Sequence, residues 1–292
     1  MAQDFINLHL VNRSIRELYR TLTPVRIRTY ADNFILGHSW DDTLGDNFVI
    51  IDTQEPTLGA NLLAKRIISH YQLTGITVNV KFSENLKTPG HVELSSSYIF
   101  SIEIQSQYQY SHEIVAAILA HEVAHIFLNR KGINFPDEFE EEVLADTTAT
   151  YLGLGTTILN AASRSKSWYD NNFQTKINHF GYLSLKEIGY ILAKRDIAFG
   201  QDSIQMLISE LARSSLYGGR IRLQNDLSQH PFVVPPRHKR IFHPLFGGIY
   251  SKRVEKIMFD CPCCSQRLRL SETYRKISVR CPTCDSRFFC YF

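Results

Sequence analysis

The stretch AAILAHEVAHIFL, residues 116–128, sets three ionisable side chains inside a run that is otherwise apolar. Ile114, Val115, Ile118, Leu119, Val123, Ile126 and Phe127 cover most of the circumference of the helix this spacing predicts, so the helix is expected to be buried nearly all round. Histidine and glutamate in such a place are costly unless partners meet them. Four residues make slightly more than one helical turn, so His121 and His125 project from one face, one above the other, with Glu122 beside them. That H-E-x-x-H spacing lets two imidazoles hold a zinc ion while the neighbouring carboxylate reaches the water such an ion activates. The competing reading is a pair of core histidines satisfied by ordinary hydrogen bonds. Two ligands also leave a catalytic zinc incomplete, because it normally takes three from the protein and keeps one position open.

A third ligand has to come from a neighbouring element, and FEEEVLADTTATYLG, residues 139–153, offers one. Only a short link, about Arg130 to Pro136, separates the two segments, which predicts an antiparallel pair of helices. His125 lies about four to six residues before that turn and Glu142 about six after it, so at roughly 1.5 Å per residue they fall at similar depth. This selects Glu142 as the third metal ligand. Asp146, one turn on, is placed to accept the second ring N–H of a ligating histidine and so fix its tautomer. Ala145 and Ala149 are small enough for close approach of the helices. The bland alternative is that the acidic run Glu138, Glu140, Glu141 and Glu142 forms a solvated helix face.

H-E-x-x-H followed by Glu142-Val-Leu-Ala-Asp146 resembles the gluzincin metallopeptidases: the thermolysin-like enzymes, the minimal gluzincins and the CAAX-prenyl-protease type with its ExxAD signature. The resemblance covers about residues 91–153. It implies that His121, His125 and Glu142 are ligands of a catalytic zinc, that Glu122 is the general base, and that Asp146 supports a ligand. It also implies an edge strand before the active-site helix that binds extended peptide, a place HVELSSSYIF could occupy. The group that stabilises the transition state in the larger families has no matching motif; His179, Tyr182 and Arg220 are guesses for it, with a structural role as the favoured reading of each.

All six cysteines fall in the last 32 residues, in FDCPCCSQRLRLSETYRKISVRCPTCDSRFFC. Cys261-x-x-Cys264 and Cys281-x-x-Cys284, with 16 residues between, supply four thiolates for a closed structural zinc, and RLRL and ISVR between them are expected to pair as a hairpin. The segment closely resembles a zinc ribbon of the CPxC…CPxC kind. Two disulfides are the competing reading, disfavoured in a reducing compartment. Cys263 and Cys290 fall outside the pattern and read as free thiols. Such a ribbon folds because its metal binds.

The formal net charge of +3 conceals an asymmetry, since residues 220–292 hold 14 Lys+Arg against 5 Asp+Glu. Within the ribbon Arg267, Arg269, Arg275, Lys276, Arg280 and Arg287 interleave with Tyr274, Phe288 and Phe289. Nucleic acid or an acidic partner could meet that surface, and a solvated or protein-docking face is the alternative.

Elsewhere, NLHLVNRSIRELYRTL has helical spacing, VRIRTY, NFVIID and ITVNVKF read as strands, and LGANLLAKRIISHY as a helix. HVELSSSYIFSIEI adds one or two strands. The second metal-site helix is expected to start near Pro136-Asp137 and to end by Gly153 or Gly155, with further helices at SLKEIGYILAKRDIAFG and SIQMLISELARSSLYG. No internal repeat stands out. The expected class is α+β: a zincin-like metallopeptidase domain over residues 1–230, mainly helical with a small mixed sheet, a proline-rich basic linker over 231–256, and the zinc ribbon over 257–292. No run approaches the length of a membrane span, and the charged N-terminal segment does not read as a signal peptide, so a cytoplasmic protein is expected.

The expected function is a zinc-dependent endopeptidase with one catalytic and one structural zinc, acting on a protein or peptide and recruiting its substrate or a partner through the ribbon. The alternatives are a nucleic-acid-associated factor, similar in architecture to the SprT-like proteins, or an inactive binding protein on the same fold. SprT-like sites use a third histidine soon after the motif, and NRKGINFPDEFEEE contains none.

Overall fold

Apolar spacing decides the first element, and proline with its capping neighbour decides the second. The apolar spacing of the N-terminal segment forms helix α1 (Leu8–Thr21), with Val11, Ile15 and Leu18 fully buried. VRIRTY, expected as a strand, is instead helix α2 (Pro24–Arg28). Pro24 stands at its first turn and Thr23 Oγ1 accepts from the Arg26 N–H at 3.3 Å, so local capping outweighs the β-rich composition. The computed structural model describes residues 5–35, 55–94, 98–163, 181–228, 231–232, 251–253, 256–271 and 276–291, and NFVIID lies outside them. The described chain is mixed α+β, about 55% helical, with small sheets and a cysteine-rich C-terminal segment.

Helix α3 (Pro56–His70) leads into strand β1 (Thr77–Ser83), where alternate residues Val78 and Val80 turn into the core. Strand β2 (Gly90–Val92) and strand β3 (Ile99–Gln105) complete a sheet of order β1-β3-β2, with β1 parallel and β2 antiparallel to β3. Against it lies helix α4 (His112–Lys131), buried without a break from Val115 to Leu128 and ended by Gly132 in the left-handed conformation. Helix α5 (Glu138–Ala149), capped by Asp137, packs back on α4. The expected stop at Gly153 is a kink: a π turn over Thr150–Leu154, with Gly153 at φ 113°, carries the chain on into helix α6 (Gly155–Ser163).

Helix α7 (Leu185–Phe199) opens with a capping box between Ser184 and Glu187. SIQMLISELARSSLYG, expected as one helix ending at Gly218, divides into a 3₁₀ turn at Ser203–Met206 and helix α8 (Glu210–Leu227), which runs through Gly218 and Gly219. The glycines do not end α8 because one of them lets it touch α7 backbone to backbone. A Cβ on Gly219 would lie 2.2 Å from the carbonyl carbon of Gly189, and one on Gly189 would lie 2.1 Å from the Ser215 carbonyl oxygen.

The C-terminal segment forms two similar hairpins. Short strand β4 (Ser251–Arg253) and strand β5 (Lys256–Asp260) pair, β5 pairs with strand β6 (Arg267–Ser271), and strand β7 (Lys276–Arg280) pairs with strand β8 (Arg287–Tyr291). The hairpin expected between RLRL and ISVR is not formed, since β6 and β7 belong to different sheets. Each C-P-x-C knuckle sits instead at the tip of its own hairpin. In both, the N–H four residues after the first cysteine returns to that cysteine's carbonyl at 2.9 Å, with Ser265 and Asp285 left-handed. The two tips, CPCCSQR and CPTCDSR, are a short internal repeat that the sequence reading passed over. Among the described residues no helix is long and apolar enough to cross a membrane.

The glycine contact between α7 and α8 makes a paired prediction. Gly219→Ala should destabilise the protein by ~3 kcal/mol or more, at the upper end of overpacking because the obstacle is backbone. Gly218→Ala, whose Cβ meets only Lys186 Cγ at 3.9 Å, should be neutral or stabilising by up to ~1 kcal/mol. Urea midpoints of the two variants check this, and equal midpoints contradict the packing described.

Candidate metal centres

The antiparallel packing of α4 on α5 brings His121, His125 and Glu142 together. His121 Nε2 lies 2.9 Å from Glu142 Oε2 and 3.1 Å from His125 Nε2, and His125 Nε2 lies 3.5 Å from the same carboxylate oxygen. The two imidazoles stand nearly perpendicular, with centroids 4.8 Å apart. A tetrahedral zinc with bonds near 2.1 Å would hold its donors roughly 3.4 Å apart, so this donor set has the size and chemistry to take such an ion. Burial alone would lower the His121 pKa, but the hydrogen bond to Asp146 and the Glu142 carboxylate raise it well above the usual value. Burial likewise works against Glu142, yet hydrogen bonds from both histidines hold it far below the ordinary carboxylate range.

Asp146 is tied on both oxygens. Its Oδ1 lies 2.8 Å from His121 Nδ1, and its Oδ2 accepts the backbone N–H of Tyr182 at 2.7 Å and of Leu183 at 3.1 Å. With Nδ1 held by Asp146, His121 turns Nε2 toward Glu142 and His125, the atom that would face an ion shared by the three side chains. Gly181 permits this approach, since a Cβ there would stand 2.3 Å from either Asp146 oxygen. Tyr182 leans its ring edge-on against Phe139, and burial followed by the Glu142 charge raises its phenol pKa.

Glu122 is buried beside the two histidines, and desolvation lifts its carboxyl pKa while the His121 and His125 charges pull it back. A carboxyl lifted toward neutrality is suited to taking and returning a proton. Edge strand β2 passes directly over it. A Cβ on Gly90 would meet Ile118 Cγ2 at 2.4 Å and Glu122 Oε1 at 2.7 Å, so glycine is what lets the strand lie this close to α4. Of the residues in HVELSSSYIF, His91 and Val92 lie in this edge strand, whereas Ile99 and Phe100 begin the central β3.

The second centre gathers Cys261, Cys264, Cys281 and Cys284, all buried. Cys261 Sγ lies 3.7 Å from Cys284 Sγ, and Cys264 Sγ lies 3.6 Å from Cys281 Sγ. Zinc–sulfur bonds near 2.3 Å set tetrahedral sulfurs about 3.8 Å apart, whereas a disulfide needs about 2.05 Å, so the separations suit a metal and all six cysteines are free. Cys263 shares a hydrogen bond with Cys261 and its thiol is pushed up to about 11; burial pushes Cys290 up to about 12.

The first knuckle is seated on the helices behind α5. Arg16 Nε donates to the Ser265 carbonyl at 2.7 Å, and buried Lys194 donates to Ser265 Oγ and to Asn12 Oδ1, both at 2.8 Å. Both acceptors of the Lys194 ammonium are neutral oxygens. Burial lowers its pKa, and the Cys261 and Cys263 sulfurs and the Asp226 carboxylate oppose that shift.

Of the three candidates for a further active-site group, Tyr182 alone is seen at the first centre. Arg220 is engaged with Asp196 at 2.8 Å and with Asp202, and His179 lies outside the described residues. The sequence reading missed Gly90, Gly181 and the Tyr182 and Leu183 N–H groups, which carry no signal until the chain is folded. Comparison with protein families, curated proteins and solved structures finds no match.

Metal analysis should find two divalent ions per chain, falling to one in His125→Ala and, independently, to one in Cys264→Ser; two ions retained in His125→Ala would remove the first centre. Asp146→Asn should weaken metal binding at the His centre by roughly 10- to 100-fold in a chelator competition and leave the cysteine centre unchanged.

Proposed function

We propose that the protein is a zinc-dependent peptide-bond hydrolase of gluzincin type, on a zincin-like fold. The observation that carries this is the convergence of His121, His125 and Glu142 beside the buried Glu122 carboxyl, under an edge strand. Zinc held by those three side chains would polarise a scissile carbonyl and acidify a water molecule. The Glu122 carboxylate would accept the proton of the attacking water and deliver it to the leaving amine. Asp146 holds the His121 tautomer and ring plane through Nδ1. The outer edge of β2, where the Gly90 carbonyl accepts from Thr88 Oγ1 at 2.6 Å, is the edge along which an extended peptide would run as a further strand past Glu122. The Tyr182 phenol, 46% exposed at the rim and sensing both Glu142 and His121, is the side chain proposed to donate to the carbonyl oxygen as charge develops there.

Zinc is the metal favoured at both centres: imidazole and carboxylate suit it at the first, and four thiolates at the second. Free buried cysteines fit a reducing compartment, and we therefore place the protein in the cytoplasm.

Glu122→Gln keeps shape and removes the proton acceptor. It should retain both metals and lose hydrolysis of a quenched-fluorescence peptide library by a factor of ~10² to 10⁴. Turnover equal to wild type in that variant, or a wild type whose hydrolysis survives complete metal removal, sinks the proposal.

A further inference from the structure

The described residues of the cysteine-rich segment, 256–271 and 276–291, carry six Lys+Arg against two Asp+Glu. Strand alternation sorts those charges. On β7 and β8 the residues Val279 and Cys290 are buried, and Phe288 turns inward onto Phe232 and Phe259 with centroids 5.7 and 6.1 Å away. The cross-strand pairs Lys276 with Tyr291, Ser278 with Phe289 and Arg280 with Arg287 therefore share the outward face.

Phe289 is the unusual member. Its ring is 54% exposed in the middle of that face, with Lys276 Nζ 4.6 Å from its centroid and 5.5 Å from that of Tyr291. The hydrophobic effect does not put a phenylalanine there, because its neighbour Phe288 already supplies the inward ring. The positive field also continues onto the helical body. Asp285, paired with Arg280, further senses Arg287 and, from α2, Arg28; Arg26 on the same helix stands near Lys131.

We infer that this face binds single-stranded nucleic acid, with Phe289 as the platform on which a base stacks and Lys276 and Arg287 as the phosphate contacts. Lys276 and Arg287 stand at opposite ends of the β7–β8 ladder with the exposed Phe289 ring between them, an arrangement that sets a phosphate contact on either side of a stacked base. An acidic peptide would need the cations but not the exposed ring, whereas every base of an unpaired strand offers a face to stack on it. A duplex keeps its bases stacked inside and offers none to an exposed ring. The inference does not depend on the hydrolase reading, and each can fail alone.

Anisotropy of a labelled oligo-dT titrated with the full zinc-loaded chain tests it. Binding should weaken with salt, log K falling by about 0.7 per phosphate contact for each unit of log salt. Phe289→Ala should weaken it by roughly 5- to 150-fold, the worth of one base–aromatic stack, and Phe289→Trp should restore it. Lys276→Ala and Arg287→Ala should each flatten the salt slope. All three positions are at the surface, and unchanged metal content and circular dichroism confirm that the variants are folded. The inference is overturned by any of three results: no binding at low salt; duplex, heparin or anionic vesicles bound as tightly as oligo-dT; or affinity for oligo-dT unchanged in Phe289→Ala.

Discussion

One carboxylate holds the first centre in shape. Asp146 sits on α5, but its two oxygens reach α4 through His121 and the segment before α7 through the Tyr182 and Leu183 N–H groups. Three stretches distant in sequence are thereby fixed against one another at the point where the metal-binding atoms meet. Because Asp146 holds Nδ1, Nε2 is the ring atom turned toward Glu142 and His125, so the same contact that positions the ring also selects the atom that would meet an ion. Gly181 is the complement of this arrangement, since any side chain there would occupy the space of the carboxylate.

Helix α4 explains why such an anchor is needed. From Val115 to Leu128 it presents no exposed side, so the imidazoles and Glu122 exchange water for whatever the neighbouring elements supply. α5 supplies Glu142 and Asp146, and β2 supplies a strand edge brought close by Gly90. A buried helix with polar groups on one face is stable only in company, and here that company has the composition of a metal site.

The cysteine centre is integrated with the rest of the chain through its first knuckle. Ser265 is held by Arg16 and Lys194, and α1, which carries Arg16, also reaches α5 through the Arg13–Glu140 ion pair at 2.7 Å. α1 thus contacts both α5, which carries Glu142 and Asp146, and the first cysteine knuckle. Lys194 adds an electrostatic logic: a buried ammonium hydrogen-bonded to neutral oxygens has the Cys261 and Cys263 sulfurs and the Asp226 carboxylate to oppose the effect of its burial.

Much of the candidate site was legible in the sequence because it rests on local rules. A four-residue spacing on a helix, a short turn and a depth argument are enough to bring His121, His125 and Glu142 together, and two CxxC pairs are enough to suggest four convergent thiols. Composition misled where capping decides, as in VRIRTY, and the run of α8 through Gly218 and Gly219 is explained only by its contact with α7. The strand partners of β6 and β7, the seat of the first knuckle on Arg16 and Lys194, and the Tyr182 and Leu183 N–H groups at Asp146 depend on contacts between residues far apart in the chain. Periodicity and spacing determine which residues share a face; which faces meet is decided by packing, hydrogen bonding and burial in the folded whole.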